Sequence, residues 1–195
     1  MSERTGLLRR TRKLAILFVA TATFALVLAG SAVAMVGVSS VSAAGTGPQA
    51  VRFDLAGCFA NSLAPNDDGS TGAVSLPFTG DFFGNSFSSL YVNNNGNVTF
   101  NGALSTFTPF GLLSTSTRII APFFDDVDTR ATGSDLVTYG ATSLGGHQAF
   151  CANWAAVNAN GVGYYNGRID KQNSFQLVLI DRSDLSPGDF DIEMN

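Results

Sequence analysis

Leu90-Tyr91-Val92-Asn93-Asn94-Asn95-Gly96-Asn97-Val98-Thr99-Phe100 is the stretch that decides the fold. Two short runs of β-favouring residues flank an Asn-Gly pair, and such a pair supplies the positive-φ residues that a two-residue type I′ hairpin turn requires. With Asn95-Gly96 as the loop, Tyr91 pairs with Phe100 and Asn93 with Val98, and the aromatic pair points at the core. Further extended segments follow on the C-terminal side. The apolar run 118–124 reads as a strand, with Pro122 at its end or at a bulge because proline cannot donate to a ladder. Phe150, Ala152 and Trp154 alternate with Cys151 and Asn153, which puts the cysteine on the face opposite the tryptophan. Residues 174–180 form a strand covered on both sides. Residues 181–188 form a polar turn, and 189–195 alternate acidic and apolar residues as a half-exposed strand. From Ala44 onward no window repeats apolar residues at helical spacing. The expectation is an all-β, mainly antiparallel, β-sandwich-like domain over 52–195, in which Tyr91, Phe123, Phe175 and Phe190 converge on one interior.

The first 43 residues obey different rules. Arg4, Arg9, Arg10, Arg12 and Lys13 make a basic start, residues 14–38 carry no charge and are mostly apolar, and Val41-Ser42-Ala43-Ala44 offers small residues for a cut after Ala43. That is the layout of a secretory signal. An uncleaved anchor helix is the alternative, since about 20 apolar residues can span a bilayer. Both readings leave the basic start in the cytoplasm and send the rest outside. The organisation is therefore 1–43 signal peptide or uncleaved anchor, 44–51 short linker, and 52–195 β domain. Membrane contact is expected only through the N-terminal segment, if it stays uncleaved.

The signal segment holds five of the chain's 11 basic residues and one of its 15 acidic ones, so the exported part has six and 14, a formal net charge of −8. Nucleic-acid binding needs Lys and Arg in place of phosphate counterions, and this balance excludes it. Cys58 and Cys151 are the two cysteines, both exported. An even pair in an oxidising compartment reads as a disulfide, with two free buried thiols as the alternative.

Several residues invite chemistry. Asp125, Asp126 and Asp128 follow an apolar strand and, with Asp67 and Asp68 of the Asn66-Asp67-Asp68-Gly69-Ser70 stretch, offer oxygen ligands for Ca²⁺. Neither stretch fits an EF-hand loop. Their structural use would be to cap turns and to pair with Arg118 or Arg130, Asp128 with Arg130 first. His147 is the only histidine and lies beside Gly145-Gly146, so neither a zinc site nor a Ser-His-Asp triad is expected. No Gly-x-Ser-x-Gly elbow occurs. Paired carboxylates would be needed for glycoside hydrolysis, and Glu193 is the only exported glutamate. Trp154, Tyr164 and Tyr165 would make a stacking platform for sugar rings if exposed. Asn97-Val98-Thr99 matches a glycosylation sequon but sits in a hairpin strand, and no role is assigned to it.

The order of the segments resembles the nidogen-like (NIDO) domain of extracellular matrix and cell-surface proteins, over roughly residues 76–195. The resemblance is carried by Leu76-Pro77-Phe78 with Phe82-Phe83-Gly84, by the 90–100 stretch, by Ile120-Ala121-Pro122-Phe123-Phe124-Asp125-Asp126-Val127-Asp128-Thr129-Arg130, by Phe150 with Trp154 and then Val162-Gly163-Tyr164-Tyr165, and by 173–180. The insertion Asn158-Ala159-Asn160-Gly161 loosens the spacing after Trp154. The family pattern continues past the strand at 190–194, so the β domain is expected to be incomplete at its C-terminus. The resemblance implies a secreted or cell-surface, non-catalytic interaction module in cell-matrix or cell-surface adhesion. Its partner would be an extracellular-matrix or cell-envelope protein or a glycan, with no catalytic residues and no cofactor beyond calcium. A carbohydrate-binding module and an extracellular hydrolase are the rival readings.

Overall fold

The computed structural model describes residues 51–155 and 161–195. The signal or anchor segment, most of the linker and residues 156–160 lie outside them. The described residues belong to one unit, 44–195, built almost wholly from antiparallel strands: β1 (Asn61–Ser62), β2 (Val74–Asp81), β3 (Ser86–Asn93), β4 (Asn97–Thr99), β5 (Ile119–Ile120), β6 (Thr138–Leu144), β7 (His147–Trp154), β8 (Val162–Tyr164), β9 (Arg168–Asn173), β10 (Phe175–Asp181) and β11 (Phe190–Met194). A five-stranded sheet has the order β1-β6-β7-β10-β11, a four-stranded sheet the order β2-β3-β4-β5, and β8 pairs with β9 as a separate hairpin.

The two larger sheets face each other. Leu76, Phe78, Leu90, Val92, Val98, Phe100 and Ile120 from the four-stranded sheet and its flanks pack against Phe150, Ala152, Trp154, Phe175, Leu177 and Leu179 from the five-stranded one. Trp154 is fully buried and stacks on Phe175 at 5.0 Å between centroids. The other face of the five-stranded sheet is also covered: Leu55 and Cys58 of the N-terminal segment pack on Ala149, Cys151 and Val178. The alternation along β7 therefore serves two interiors, with Trp154 in one and Cys151 in the other, as its sequence pattern implies. A disulfide joins Cys58, in a short 3-10 turn (Ala56–Phe59), to Cys151, with the Cα atoms 5.3 Å apart. The same outer layer carries a buried polar tie, in which Gln176 Nε2 donates to Asn153 Oδ1 (2.7 Å) and Asn153 Nδ2 donates to the Cys58 carbonyl (2.8 Å).

The hairpin at 90–100 differs from its expected register. Tyr91 pairs with Thr99, Val92 with Val98 and Asn93 with Asn97, around a three-residue loop, Asn94-Asn95-Gly96. Gly96 alone of these adopts positive φ (+77°), whereas a type I′ turn needs it at both central residues; one left-handed glycine instead suits a three-residue loop with a bulge. A one-residue slip changes which side chains face inward. Leu90 and Val92 point into the core with Val98 and Phe100, and Tyr91 lies on the other face, half-buried. Of the four aromatics expected to meet, Phe175 is in the core and Phe190 packs against it. Phe123 touches Phe175 at 5.3 Å but stays 41% exposed. The two-residue hairpin loop is Gly145-Gly146, where Leu144 pairs with His147 and both glycines have positive φ.

Pro122 falls just past the end of β5 and Pro77 lies in the edge strand β2, where the pairing with β3 shifts between Ser75 and Gly80, both being positions that tolerate a missing donor. Strands β5 and β11 are the far edges of their sheets, and a groove of about 670 Å³ runs between them, lined by Phe82, Phe83, Leu112, Leu113, Ile192 and Met194 among others.

Candidate functional site

The polar side of the molecule is organised by the asparagines of the β3–β4 turn. Asn93, Asn94, Asn95 and Asn97 are all buried to within 1% of full burial: the amides of the first three tie neighbouring loops to the sheet, and that of Asn97 closes the turn on Asn93 and Asn95. Asn93 Nδ2 donates to Asn97 Oδ1 (2.7 Å) and Thr99 Oγ1 (3.0 Å), and its Oδ1 accepts from Ser70 Oγ (2.7 Å) and the Leu104 amide (3.0 Å). Asn95 Nδ2 donates to Asp68 Oδ1 (2.8 Å) while its Oδ1 accepts from the Val127 amide (2.9 Å). The Asn94 carbonyl accepts from Trp154 Nε1 (2.8 Å) and its Nδ2 donates to the carbonyls of Asp67 and Val127. Composition alone marks such residues as turn formers. That they are buried cross-links between loops depends on tertiary partners from Ser70 to Trp154, which no local window reveals.

This hub sets the places of the acidic residues. Asp128 is 1% exposed; its carboxylate accepts from Arg130 Nε (2.8 Å), Nη2 (2.7 Å) and the Arg130 amide (3.0 Å). These bonds from Arg130 hold its carboxyl below the ordinary value. The expected Asp128–Arg130 ion pair is thus present, and Arg130 also reaches Asp67 at 2.8 Å. Asp125 Oδ1 accepts from the Tyr164 hydroxyl at 2.8 Å and from the Asp126 amide at 2.9 Å. Of the five candidate calcium ligands, Asp67, Asp68 and Asp126 converge, their carboxylate oxygens lying within 4.8 Å of one another, while Asp125 and Asp128 are directed to other partners. Burial first, then the neighbouring carboxylates, raises the Asp126 carboxyl above its ordinary value, and Asp67 is raised in the same way. Asn94, whose Nδ2 bonds the Asp67 carbonyl, has a buried Oδ1 with no hydrogen-bond partner among the described residues.

A cleft of about 510 Å³ opens where the β8–β9 hairpin meets this acidic stretch, lined by Phe123, Asp125, Tyr164, Tyr165, Arg168 and Lys171 together with Asp170, Gln172 and Asn173 of β9. The Tyr164 and Tyr165 rings meet edge-on at 5.0 Å, and the Arg168 guanidinium lies 5.9 Å from the Tyr165 ring centre. Trp154, expected as a third stacking ring if exposed, is fully buried and takes no part. The sequon residue Asn97 is also fully buried, so its side chain is spent inside the hub.

His147 begins β7, with Nδ1 3.7 Å from Asp184 Oδ1. Within the cleft the two carboxylates are Asp125, bonded to Tyr164, and Asp170, whose carboxyl is held low by a two-pronged bond from Arg168 (3.0 and 2.6 Å). A glycosidase needs one carboxyl raised to serve as the acid, and Asp170 is shifted the opposite way.

A two-layer antiparallel sandwich closed by a disulfide, a bond that persists in oxidising compartments, defines an extracellular β-sandwich module. The chain belongs to the NIDO-related family, whose profile matches residues 50–185. Alpha-tectorin of Mus musculus is 32% identical over 140 residues, covering 58% of this chain and 6% of its own. Nidogen of Drosophila melanogaster is 29% identical over 158 residues, covering 62% of this chain and 11% of its own. The chain thus spans about a tenth or less of the length of these relatives. No solved structure matches it.

Proposed function

We propose that the domain is a non-catalytic recognition module of the extracellular matrix or cell surface, exported by residues 1–43 and holding a partner on its polar loops. One observation carries this reading: the groups that would do acid-base work are tied into the scaffold, Asp128 by Arg130, Asp170 by Arg168 and Asp125 by Tyr164. Membership of the NIDO-related family and likeness to alpha-tectorin and nidogen support an adhesive role. The test applies the full secreted chain to detergent-extracted extracellular matrix and, in parallel, to glycoside, ester and peptide substrates. Saturable retention without turnover is expected. Turnover that disappears in Asp125→Asn or His147→Ala would make the domain a hydrolase instead. An intact mass of the secreted protein checks cleavage after Ala43, which fails if residues 1–43 are still attached.

A second reading has its own support. Three carboxylates lie within 4.8 Å, two of them raised by burial and mutual repulsion, and Asn94, whose Nδ2 holds the Asp67 carbonyl, carries a buried amide oxygen without a partner among the described residues. Ca²⁺ takes six to eight oxygen ligands of these types, so Asp67, Asp68 and Asp126 are proposed as its carboxylate donors, with the roles of Asp125 and Asp128 confined to holding the surrounding loops.

A further inference from the structure

The cleft beside the β8–β9 hairpin has a composition unlike the rest of the surface. Phe123 and Tyr165 expose 41% and 39% of themselves there, and Tyr164 stands edge-on to Tyr165. Two of the six cations of the exported chain, Arg168 and Lys171, line the same cleft. Arg52, Arg130, Arg168 and Arg182 are engaged in ion pairs and Arg118 lies over the Phe87 ring, whereas Lys171 has neither a carboxylate within salt-bridge distance nor a ring contact among the described residues. Asp125 and Asp170 in the same cleft are bonded to Tyr164 and Arg168, and Lys171 acts on Asp170 only at longer range, so its ammonium beside exposed aromatic rings selects for a ligand with an apolar face and a negative charge. The volume, about 510 Å³, is that of a small-ligand site.

The walls are also held in advance. Val127 bridges Tyr164 in antiparallel fashion, the Asp128 amide donates to the Gly163 carbonyl at 3.1 Å, and the Tyr164 hydroxyl is fixed by Asp125 at 2.8 Å. Asn166 and Gly167 both adopt positive φ to turn the hairpin between β8 and β9. A site ordered before binding loses less entropy when occupied.

We propose that this cleft binds a glycan through a uronic-acid unit, a reading that rests on the domain being a non-catalytic recognition module. The C–H face of a pyranose would lie on Tyr165 and Phe123, since aromatic faces are apolar and electron-rich. Its carboxylate would meet the Lys171 ammonium, and hydroxyls would be bridged by the two-pronged acceptor and donor groups of Asp125 and Arg168.

The full secreted chain is titrated by calorimetry with a hyaluronan tetrasaccharide and with trigalacturonate, using chitotetraose as the neutral counterpart, in wild type, Tyr165→Ala and Lys171→Gln. At least one acidic oligosaccharide should bind saturably and more tightly than chitotetraose. Lys171→Gln should weaken the acidic ligand about tenfold, the scale of one charge-assisted hydrogen bond, and leave the neutral one unchanged. Tyr165→Ala should weaken both. Absence of saturable binding to either acidic ligand, or binding indifferent to both substitutions, overturns the proposal. Leu113→Ser, on an exposed residue outside the cleft, should change nothing, and unaltered thermal melts of the two cleft variants exclude misfolding. Matrix retention that free oligosaccharide does not displace would sink the glycan site while the recognition reading stands; loss of retention by the wild-type chain would sink that reading itself.

Discussion

At the scale of single residues the β3–β4 turn gathers buried side-chain hydrogen bonds to several loops. Asn95→Ala strips the buried Val127 amide of its acceptor and Asp68 of a donor. An orphaned buried amide costs about 1–3 kcal/mol, so chemical denaturation should show a loss of about 2 kcal/mol. An unchanged midpoint would mean that water replaces the side chain freely. Gly96→Ala should be harsher, roughly 4 kcal/mol, because an added Cβ would lie 1.7 Å from the Phe123 carbonyl oxygen in a left-handed backbone. The acidic residues pull in two directions with pH. Asp128 is held low, so its contribution is present above the ordinary carboxylate value and is lost as pH falls through its folded value. Asp126 is held high, chiefly by burial, so its ionisation disfavours the folded state as pH rises through its raised value. In chelator at neutral pH, Asp126→Asn should therefore raise Tm, and below pH 3.8 the difference should vanish. Calcium should raise the Tm of wild type and not that of the variant. A variant that responds equally to calcium would place the cation elsewhere.

At the scale of elements the difference between what pattern reveals and what it hides is physical. Alternation exposed β7 and β11, and the apolar run of β10 marked a strand covered on both sides, because a strand's neighbours on each face are written directly into its side chains. The hairpin at 90–100 was legible as a hairpin but not in register. Asn-Gly is compatible with both a two-residue and a three-residue loop, and the choice is made by Gly96 packing against the Phe123 backbone and by amides bonding to loops far along the chain. The candidate cleft was legible only in part. Tyr164 and Tyr165 stand out in sequence, but Phe123, Arg168 and Lys171 join them through the docking of a separate hairpin, and Trp154 is withdrawn by its stack on Phe175. The two cysteines were readable as a pair because both lie in the part expected to be exported. Their bond closes a sequence separation of 93 residues and fastens the N-terminal layer to β7. On the chain-entropy model such a link contributes about 4 to 5 kcal/mol. Cys58→Ala/Cys151→Ala should show a deficit of that order in urea, and a deficit under 1 kcal/mol would mean the packing of Leu55 and Phe59 holds the layer alone.

At the scale of the whole molecule, two interiors share one sheet, and polar cross-links replace apolar packing where the loops meet it. Such an arrangement keeps long loops in fixed places and leaves their outer surfaces to make contacts, as rigid scaffolds commonly do. The asparagine hub is the device on which this depends, since it joins the segments around Ser70, Leu104, Val127 and Trp154 to a single turn. Hydrogen exchange of the full secreted chain, followed by NMR at the Leu104 and Val127 amides and the Trp154 indole N–H, tests it directly. Protection at all three comparable to that of the β7 and β10 core amides, lost together with global unfolding, is the expected result. Exchange of the Leu104 and Val127 amides at the rate of an open loop, with the core still protected, would contradict it.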